Sequence, residues 1–404
     1  MKESLAIPPF LLDISRLLSR SGASVPTGID RVELAYARYL LAHASEQTRF
    51  CAMHPIGVMG MIDQATARRF IQALELQWGQ SGSGRPAVRL CGAINRGLFW
   101  HRPAAMAPGT IYLNVSHHHL TRPKVVGAFL RQTGAHFVVM IHDLIPIDYP
   151  EYSRPREPAR HEIRLKTVAR YADSIIVPSH YVKETVCRHL TELSVDIPVH
   201  AVLHGVDTPH LHTRTMELDA SLRDQLKGRP YFVCLGTIEP RKNHLLLLNV
   251  WRRLVEQAPS SAPVLVIVGK RGWENENILD LLDRALALKG HVIECQSLPD
   301  TMVQTLLKGS SGLLFPSFVE GFGLPLAEAL SLGVPALCSD IPVLREVGGC
   351  AASYLDPLDG PAWLDAIMRY ATSGCDRTDH TLQTESFCIL SWEESVAQAL
   401  SLIQ

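Results

Sequence analysis

Residues 312–328 read Gly312-Leu313-Leu314-Phe315-Pro316-Ser317-Phe318-Val319-Glu320-Gly321-Phe322-Gly323-Leu324-Pro325-Leu326-Ala327-Glu328. The apolar run ending at Phe315 has the length of a buried strand, and the residues after it have the chemistry of a strand becoming a helix. Gly321 and Gly323 flank Phe322 in a turn where the backbone passes close to a ligand with no side chain in the way. Pro325 suits the first turn of a helix, where its missing amide hydrogen costs nothing. The free amides of that helix start, near Gly323 and Leu324, form a seat for a phosphate. Glu320 stands on the loop and Glu328 on the helix, so the two carboxylates reach different parts of one extended ligand. This combination points to a sugar-nucleotide site.

Outward from this stretch the same rhythm repeats. Tyr231–Leu235, Val264–Val268, His291–Glu294 and Val334–Cys338 are short apolar runs, and segments of helical length such as Asn243–Gln257 and Glu276–Leu288 lie between them. Such alternation predicts a parallel sheet wrapped by helices on both faces. In the amino-terminal half the pattern predicts strands at Phe10–Ile14, Thr110–Val115, His136–Ile141, Ser174–Val177 and Val199–Leu203. Helices are predicted around Ile29–Leu41, Lys124–Thr133, Arg156–Tyr171 and His180–His189. Gly79–Pro86 reads as a surface loop, and Thr208–Arg229 as a linker with a short helical pattern. The expected fold class is α/β, with two Rossmann-like doubly wound domains, 1–208 and 209–385, whose strand ends meet a ligand in the cleft between them. The tail from Ser391 to Ile403 opens on a good cap and continues as an amphipathic helix.

A sugar nucleotide leaves a diphosphate whose charge grows as the glycosidic bond breaks, so the site needs fixed positive charge and amide donors. Gly236-Thr237-Ile238-Glu239-Pro240-Arg241-Lys242-Asn243 supplies them directly after a buried strand. Arg241 offers a fork that chelates phosphate oxygens, and Lys242 a compact charge. A helix start disfavours cations unless an anion is bound there too, which argues against an idle surface pair.

Together the two segments resemble glycosyltransferase family 4, retaining enzymes of the GT-B fold also described as glycosyl transferases group 1. The family pattern is Glu, seven intervening residues, Glu, with Gly-Phe-Gly-Leu-Pro inside. The resemblance covers nearly the whole chain, strongly from Tyr231 to Val347 and weakly before Ala135. It implies that Glu320 contacts hydroxyls of the donor sugar, that Glu328 holds the nucleotide ribose, and that Arg241 and Lys242 neutralise the leaving diphosphate. It also puts Gly236, Gly321, Phe322, Gly323 and Leu324 against the donor, with Lys270 of Gly269-Lys270-Arg271-Gly272-Trp273 near it. Cys295, in Glu294–Pro299, falls where family members read the base. His142, after the strand His136–Ile141, is implied to face the transferred sugar, and Asp143 either orients that imidazole or lies nearest the acceptor. Gly28, Asp30 and Arg31 correspond to a glycine-rich loop beside diphosphate and acceptor. Asp30 departs from that pattern, since an acid there repels a diphosphate; it is expected to face the acceptor or pair with Arg31. Residues 386–404 are expected to return to the amino-terminal domain.

Composition narrows the partners. The chain has 404 residues, a formal charge of -1 and 47% hydrophobic residues, enough for two cores and with no overall pull toward nucleic acid. The charge is uneven: residues 1–208 hold 23 Lys and Arg against 17 Asp and Glu, and the remainder 16 against 23. A basic amino-terminal half suits an anionic acceptor or membrane surface. Nine cysteines without a Cys-x-x-Cys pair read as small core residues of a reducing compartment. The first residues show no export signal, and no apolar run spans a bilayer. Three consecutive histidines, His117-His118-His119, alternate sides in an extended chain and lack a neighbouring carboxylate or Cys, so they are read as cleft lining or surface rather than a metal site.

The reading that results is a metal-independent, cofactor-free retaining hexosyltransferase. It moves a hexose, with mannose from GDP-mannose favoured, to a glycan or lipid-linked glycan in surface polysaccharide assembly. The expected location is cytoplasmic, with peripheral attachment to the inner membrane face left open. Two alternatives stand beside it: a non-hydrolysing sugar-nucleotide epimerase, which needs general bases beside the sugar, and a binding-only relative without turnover.

Overall fold

Val264–Val268 reads Val-Leu-Val-Ile-Val with every residue buried, as a parallel strand covered by helices on both faces requires. That pattern governs both halves of the chain. The computed structural model describes residues 8–79, 86–207, 218–296, 298–372 and 389–404. Its chain divides into two units, Met1–Gly205 with Trp392–Gln404, and Val206–Ser391.

The first unit holds seven strands: β1 Phe10–Asp13, β2 Thr48–Met53, β3 Met59–Ile62, β4 Ile111–Asn114, β5 His136–Met140, β6 Ser174–Val177 and β7 Val199–Ala201. Their order is β3-β2-β1-β4-β5-β6-β7. Every pairing is parallel except β2 with β3, an antiparallel edge. The apolar pattern of the sequence predicts neither β2 nor β3. Gly60 lies within β3 because a side chain there would stand 2.7 Å from the Leu98 Cα. Helices at Gly28–His43, Pro123–Thr133, Glu157–Tyr171 and His180–Glu192 match the predicted ones to within a few residues. Around the sheet, Leu11, Phe129, Phe137, Val168, Ile175 and Val186 form one core. Helix Trp392–Ser401 joins this unit, with the Ser395 hydroxyl donating to the Leu203 carbonyl (2.7 Å) and Glu393 beside His43 (3.0 Å).

The second unit holds six strands: β8 Tyr231–Leu235, β9 Val264–Val268, β10 Val292–Cys295, β11 Gly312–Phe315, β12 Ala336–Ser339 and β13 Ser353–Leu355. All are parallel, in the order β10-β9-β8-β11-β12-β13. Trp251 and Trp363 are fully buried in its core, and their indole N–H groups donate to the carbonyls of Pro263 and Asp356, both at 2.9 Å. Of the expected linker, residues 218–229 are described and contain the helix Ala220–Leu226. Residues 208–217, the interior of the Gly79–Pro86 loop, Ser297, Cys375 and Cys388 lie outside the described residues. Among the described residues no helix is long and apolar enough to cross a membrane.

Candidate functional site

In each sheet the strand order reverses once, at β1/β4 and at β8/β11. Segments leaving neighbouring strands at such a reversal diverge to opposite faces and open a crevice at the carboxyl ends. In the second unit, β8 leads into Gly236 and β11 into Pro316, so both motifs meet at the reversal. The two loops are tied by the Phe318 amide donating to the Arg241 carbonyl (2.8 Å).

The path after β8 is dictated residue by residue. Gly236 has φ 137°, a conformation side-chain-bearing residues rarely adopt, and its amide donates to Val268 (3.0 Å). A Cβ on Gly236 would lie 3.2 Å from Cε of Lys242, and one on Gly269 would collide with the Gly236 carbonyl oxygen. The backbone then makes a short 3-10 turn, Pro240–Lys242, which ends at Asn243 with φ 54°. Asparagine tolerates this left-handed geometry, and its side chain donates to the Pro357 carbonyl (2.9 Å).

Four charged side chains converge there. Glu320 Oε1 lies 2.5 Å from Lys242 Nζ, and Glu320 Oε2 lies 2.6 Å from Arg241 Nη1. Arg241 Nε also meets Glu239 Oε1 at 2.6 Å, and Lys242 Nζ lies 4.5 Å above the Phe315 ring. Glu320 and Lys242 are under a tenth exposed, whereas Arg241 keeps 23% of its side chain open. Burial pushes Glu320 toward its neutral form, but Arg241 and then Lys242 outweigh it and hold the carboxyl down at about 2. The same burial pulls the Lys242 ammonium below the usual lysine range, with Glu320 opposing. Glu239 is the member that the motif contains without an expected role. Its signal is a carboxylate two residues before an arginine that must be aimed.

The other expected donor residues lie on segments of the same unit. Gly323, with φ 101°, precedes helix Leu324–Ser331, which has Pro325 in its first turn. Phe322 is buried, and Glu328 is half-buried on the same helix. Lys270 is exposed, and its carbonyl accepts the Ile238 amide (2.9 Å). Cys295 ends β10 and accepts the Gly269 amide (3.0 Å). Arg271, the neighbour of Lys270, is taken up by Asp283 (2.6 Å) and Glu294 (2.7 Å).

In the first unit His142 follows β5 and is buried; its Nε2 donates to the Val115 carbonyl (2.8 Å). Burial lowers its pKa to about 4, so the imidazole is neutral at physiological pH. That carbonyl orients the ring, while Asp143 Oδ1 accepts the Ile145 amide (3.1 Å). Gly28 opens helix Gly28–His43, with Arg31 part-buried in its first turn. Asp30 corrects the expectation. It is fully buried and accepts from Arg16 (2.6 Å), Arg20 (3.0 Å) and the Thr27 amide (2.7 Å), so it does not face an acceptor. The reason is local: a first-turn carboxylate is favoured by the helix dipole, and Arg16 and Arg20, four residues apart, reach it from one helical face.

Two doubly wound units, with a cation–carboxylate cluster at the second reversal, define a protein of the GT-B fold. Residues 221–351 match the family described as "Glycosyl transferases group 1". The chain is 29% identical over 278 residues to "Serotype-specific mannosyltransferase WbdA" of Escherichia coli, covering 66% of this chain and 33% of that protein. It is 34% identical over 175 residues to "O-antigen chain mannosyltransferase B" of Escherichia coli, covering 43% of this chain and 42% of the relative. The chain thus spans well under half the length of these relatives. Among solved structures, sucrose-phosphate synthase from Thermosynechococcus elongatus superposes with a TM-score of 0.63 at 16% identity, over 98% of both chains, a likeness of fold.

Proposed function

We propose that this protein is a retaining hexosyltransferase that takes a hexose, mannose from GDP-mannose favoured, from a nucleotide-diphosphate sugar to a glycan or lipid-linked glycan in surface polysaccharide assembly. The observation that carries the reading is the convergence of Arg241, Lys242 and Glu320 at the β8/β11 reversal beside the positive-φ glycines Gly236 and Gly323. Support for mannose comes from the two bacterial relatives, both named as mannosyltransferases.

In this reading the donor's diphosphate sits against Arg241 and Lys242, with amides at Gly323 and Leu324 completing the cradle. As the bond from the anomeric carbon to the phosphate oxygen breaks, charge accumulates on the diphosphate, and cations already in place stabilise it without reorganising. Each oxygen of Glu320 has lone pairs beyond the one facing a cation, so it accepts from a sugar hydroxyl as well. Glu239 aims the Arg241 guanidinium, and Glu328 serves the ribose. In the first unit, His142 offers a neutral imidazole to a carbohydrate hydroxyl. For retention, the departing phosphate oxygen takes the acceptor's proton, and no metal is needed where two cations and a helix start do its work. Attachment to a membrane surface belongs to the same proposal and rests on the basic first 208 residues.

The test replaces Lys242 by Ala and measures transfer from GDP-mannose, after a thermal-shift screen of GDP-, UDP- and dTDP-sugars has fixed the donor. A charge-assisted contact is worth roughly 1.5–3 kcal/mol, so turnover should fall about tenfold to a hundredfold or more. Unchanged turnover removes Lys242 from the mechanism. Stabilisation by no nucleotide sugar at all would count against the reading as a whole.

A further inference from the structure

The reversal in the first sheet, between β1 and β4, carries a cavity of about 460 Å³. Its walls come from the segments that leave β1 (Ser15, Arg16), β2 (His54) and β4 (His117, His118, His119, Arg122), with Arg160 and Arg164 from helix Glu157–Tyr171. Among the described residues lining it there are four arginines and four histidines and no carboxylate.

The charge around it does not balance. Asp30 serves both Arg16 and Arg20, and Glu157 serves both Arg160 (2.6 Å) and Arg164 (3.4 Å). Arg122 meets only neutral acceptors among its hydrogen bonds, the Pro55 carbonyl (3.2 Å) and the Met53 sulfur (3.9 Å). Asp143 adds a further carboxylate whose charge acts on Arg164, so five guanidiniums stand against three carboxylates. Arg16 and Arg164 are held 18% and 15% exposed, where an uncompensated charge is costly. Beneath the floor, burial pushes the carboxyls of Asp13 and Glu33 upward, Glu33 to about 8, so Glu33 adds little negative charge.

The wall after β4 is also forced into shape. His117 and His119 have φ of 49° and 67°, a left-handed geometry that costs free energy for a residue with a side chain. Asn114 secures the turn by donating to the His118 carbonyl (3.0 Å). Strained backbone, surplus guanidiniums and a reversal crevice occur at one place, a combination suited to holding an anion.

We propose that this cavity binds the phosphoryl group of a phosphorylated carbohydrate, with the arginines on the phosphoryl oxygens and the histidines, Ser19, Asn95 and Thr121 on its hydroxyls. Its assignment as the acceptor rests on the transfer reaction proposed above; the anion site itself does not. Two sources share this chemistry, a soluble sugar phosphate and a lipid-linked diphosphate.

The experiment measures binding of mannose 6-phosphate, of inorganic pyrophosphate, and of phosphatidylcholine vesicles with and without a polyprenyl diphosphate. Wild type is compared with Arg122→Gln, Arg160→Gln and Lys242→Ala. Both arginines are solvent-facing, so these variants are expected to fold, and Arg122→Lys, which keeps the charge, should lose less. Losing one guanidinium contact should raise the Kd for the preferred probe about tenfold or more, while Lys242→Ala leaves a mannose 6-phosphate or vesicle signal intact. Preference for the vesicle or the soluble probe identifies the source. Equal affinity of wild type and both arginine variants for every probe overturns the proposal. If anion binding vanishes only in Lys242→Ala, it belongs to the second unit, and the donor reading stands while this one falls.

Discussion

Glu320→Gln separates the charge of this side chain from its shape. The carboxyl is held at about 2 against an ordinary value of 4.5, a difference equivalent to roughly 3 kcal/mol of folding stability at neutral pH. A depressed acid contributes above its unfolded pKa and loses that contribution as pH falls through the folded one. The variant should therefore be less stable than wild type by about that amount at pH 7, with the gap closing between about pH 4.5 and 2. Ligand binding should move the other way. The amide leaves Arg241 and Lys242 with Glu239 as the remaining acid of the cluster, so the net charge of the crevice rises by one. At an effective dielectric of about 20 and a distance of about 8 Å, that amounts to about 2 kcal/mol for each unit of negative charge on the diphosphate. The Kd for the free nucleoside diphosphate should drop at least about thirtyfold, while sugar transfer, which in the proposed mechanism uses the carboxylate on a hydroxyl, collapses. Calorimetric titration with GDP and UDP, paired with denaturation across pH, reads both effects. If Glu320→Gln binds the nucleoside diphosphate more weakly than wild type, the phosphates do not lie against these cations and the reasoning fails.

In the proposed mechanism the cations and helix start take the place of a divalent ion, so transfer should continue in excess chelator; abolition by chelator with recovery on adding Mn or Mg refutes the metal-free mechanism. Gly236→Ala should cut turnover at least tenfold with secondary structure preserved, since the new Cβ crowds Lys242 Cε at 3.2 Å and φ 137° is unfavourable for Ala; wild-type rates would show that Lys242 has room to yield. His142 is buried neutral with a pKa near 4, so charging it opposes folding as pH falls from about 6.5 toward 4. His142→Gln should flatten the acid limb of the stability profile by up to about 1.4 kcal/mol per pH unit in denaturant unfolding, and an identical slope would contradict the assignment.

Strands buried on both faces announce themselves as unbroken apolar runs, and Tyr231–Leu235, Val264–Val268 and Gly312–Phe315 are found with the predicted bounds. Thr48–Met53 opens on two polar residues and includes Cys51 and Ala52, and Met59–Ile62 contains a glycine; at this unit's edge, pairing rather than propensity makes them strands. The charged cluster is legible in the sequence only as separate parts. Arg241, Lys242 and Glu320 each stand out through a motif, but the ion pairs join residues 78 and 79 positions apart and depend on the β8/β11 adjacency. Asp30 escapes a sequence reading for a similar reason, since its partners sit on the preceding helix. The arginine-lined cavity has no motif at all, because Arg16, Arg122, Arg160 and Arg164 come from three separate stretches of the chain.

The bare backbones of Gly236 and Gly269, pressed together, set a limit on how this protein can diversify. Under the function proposed above, altered side chains at the periphery would tune which carbohydrate is admitted. At those two positions even a methyl group shifts the lysine or parts the loops. New specificities are therefore expected to arise from the outskirts, around an inner point where an added methyl group is costly.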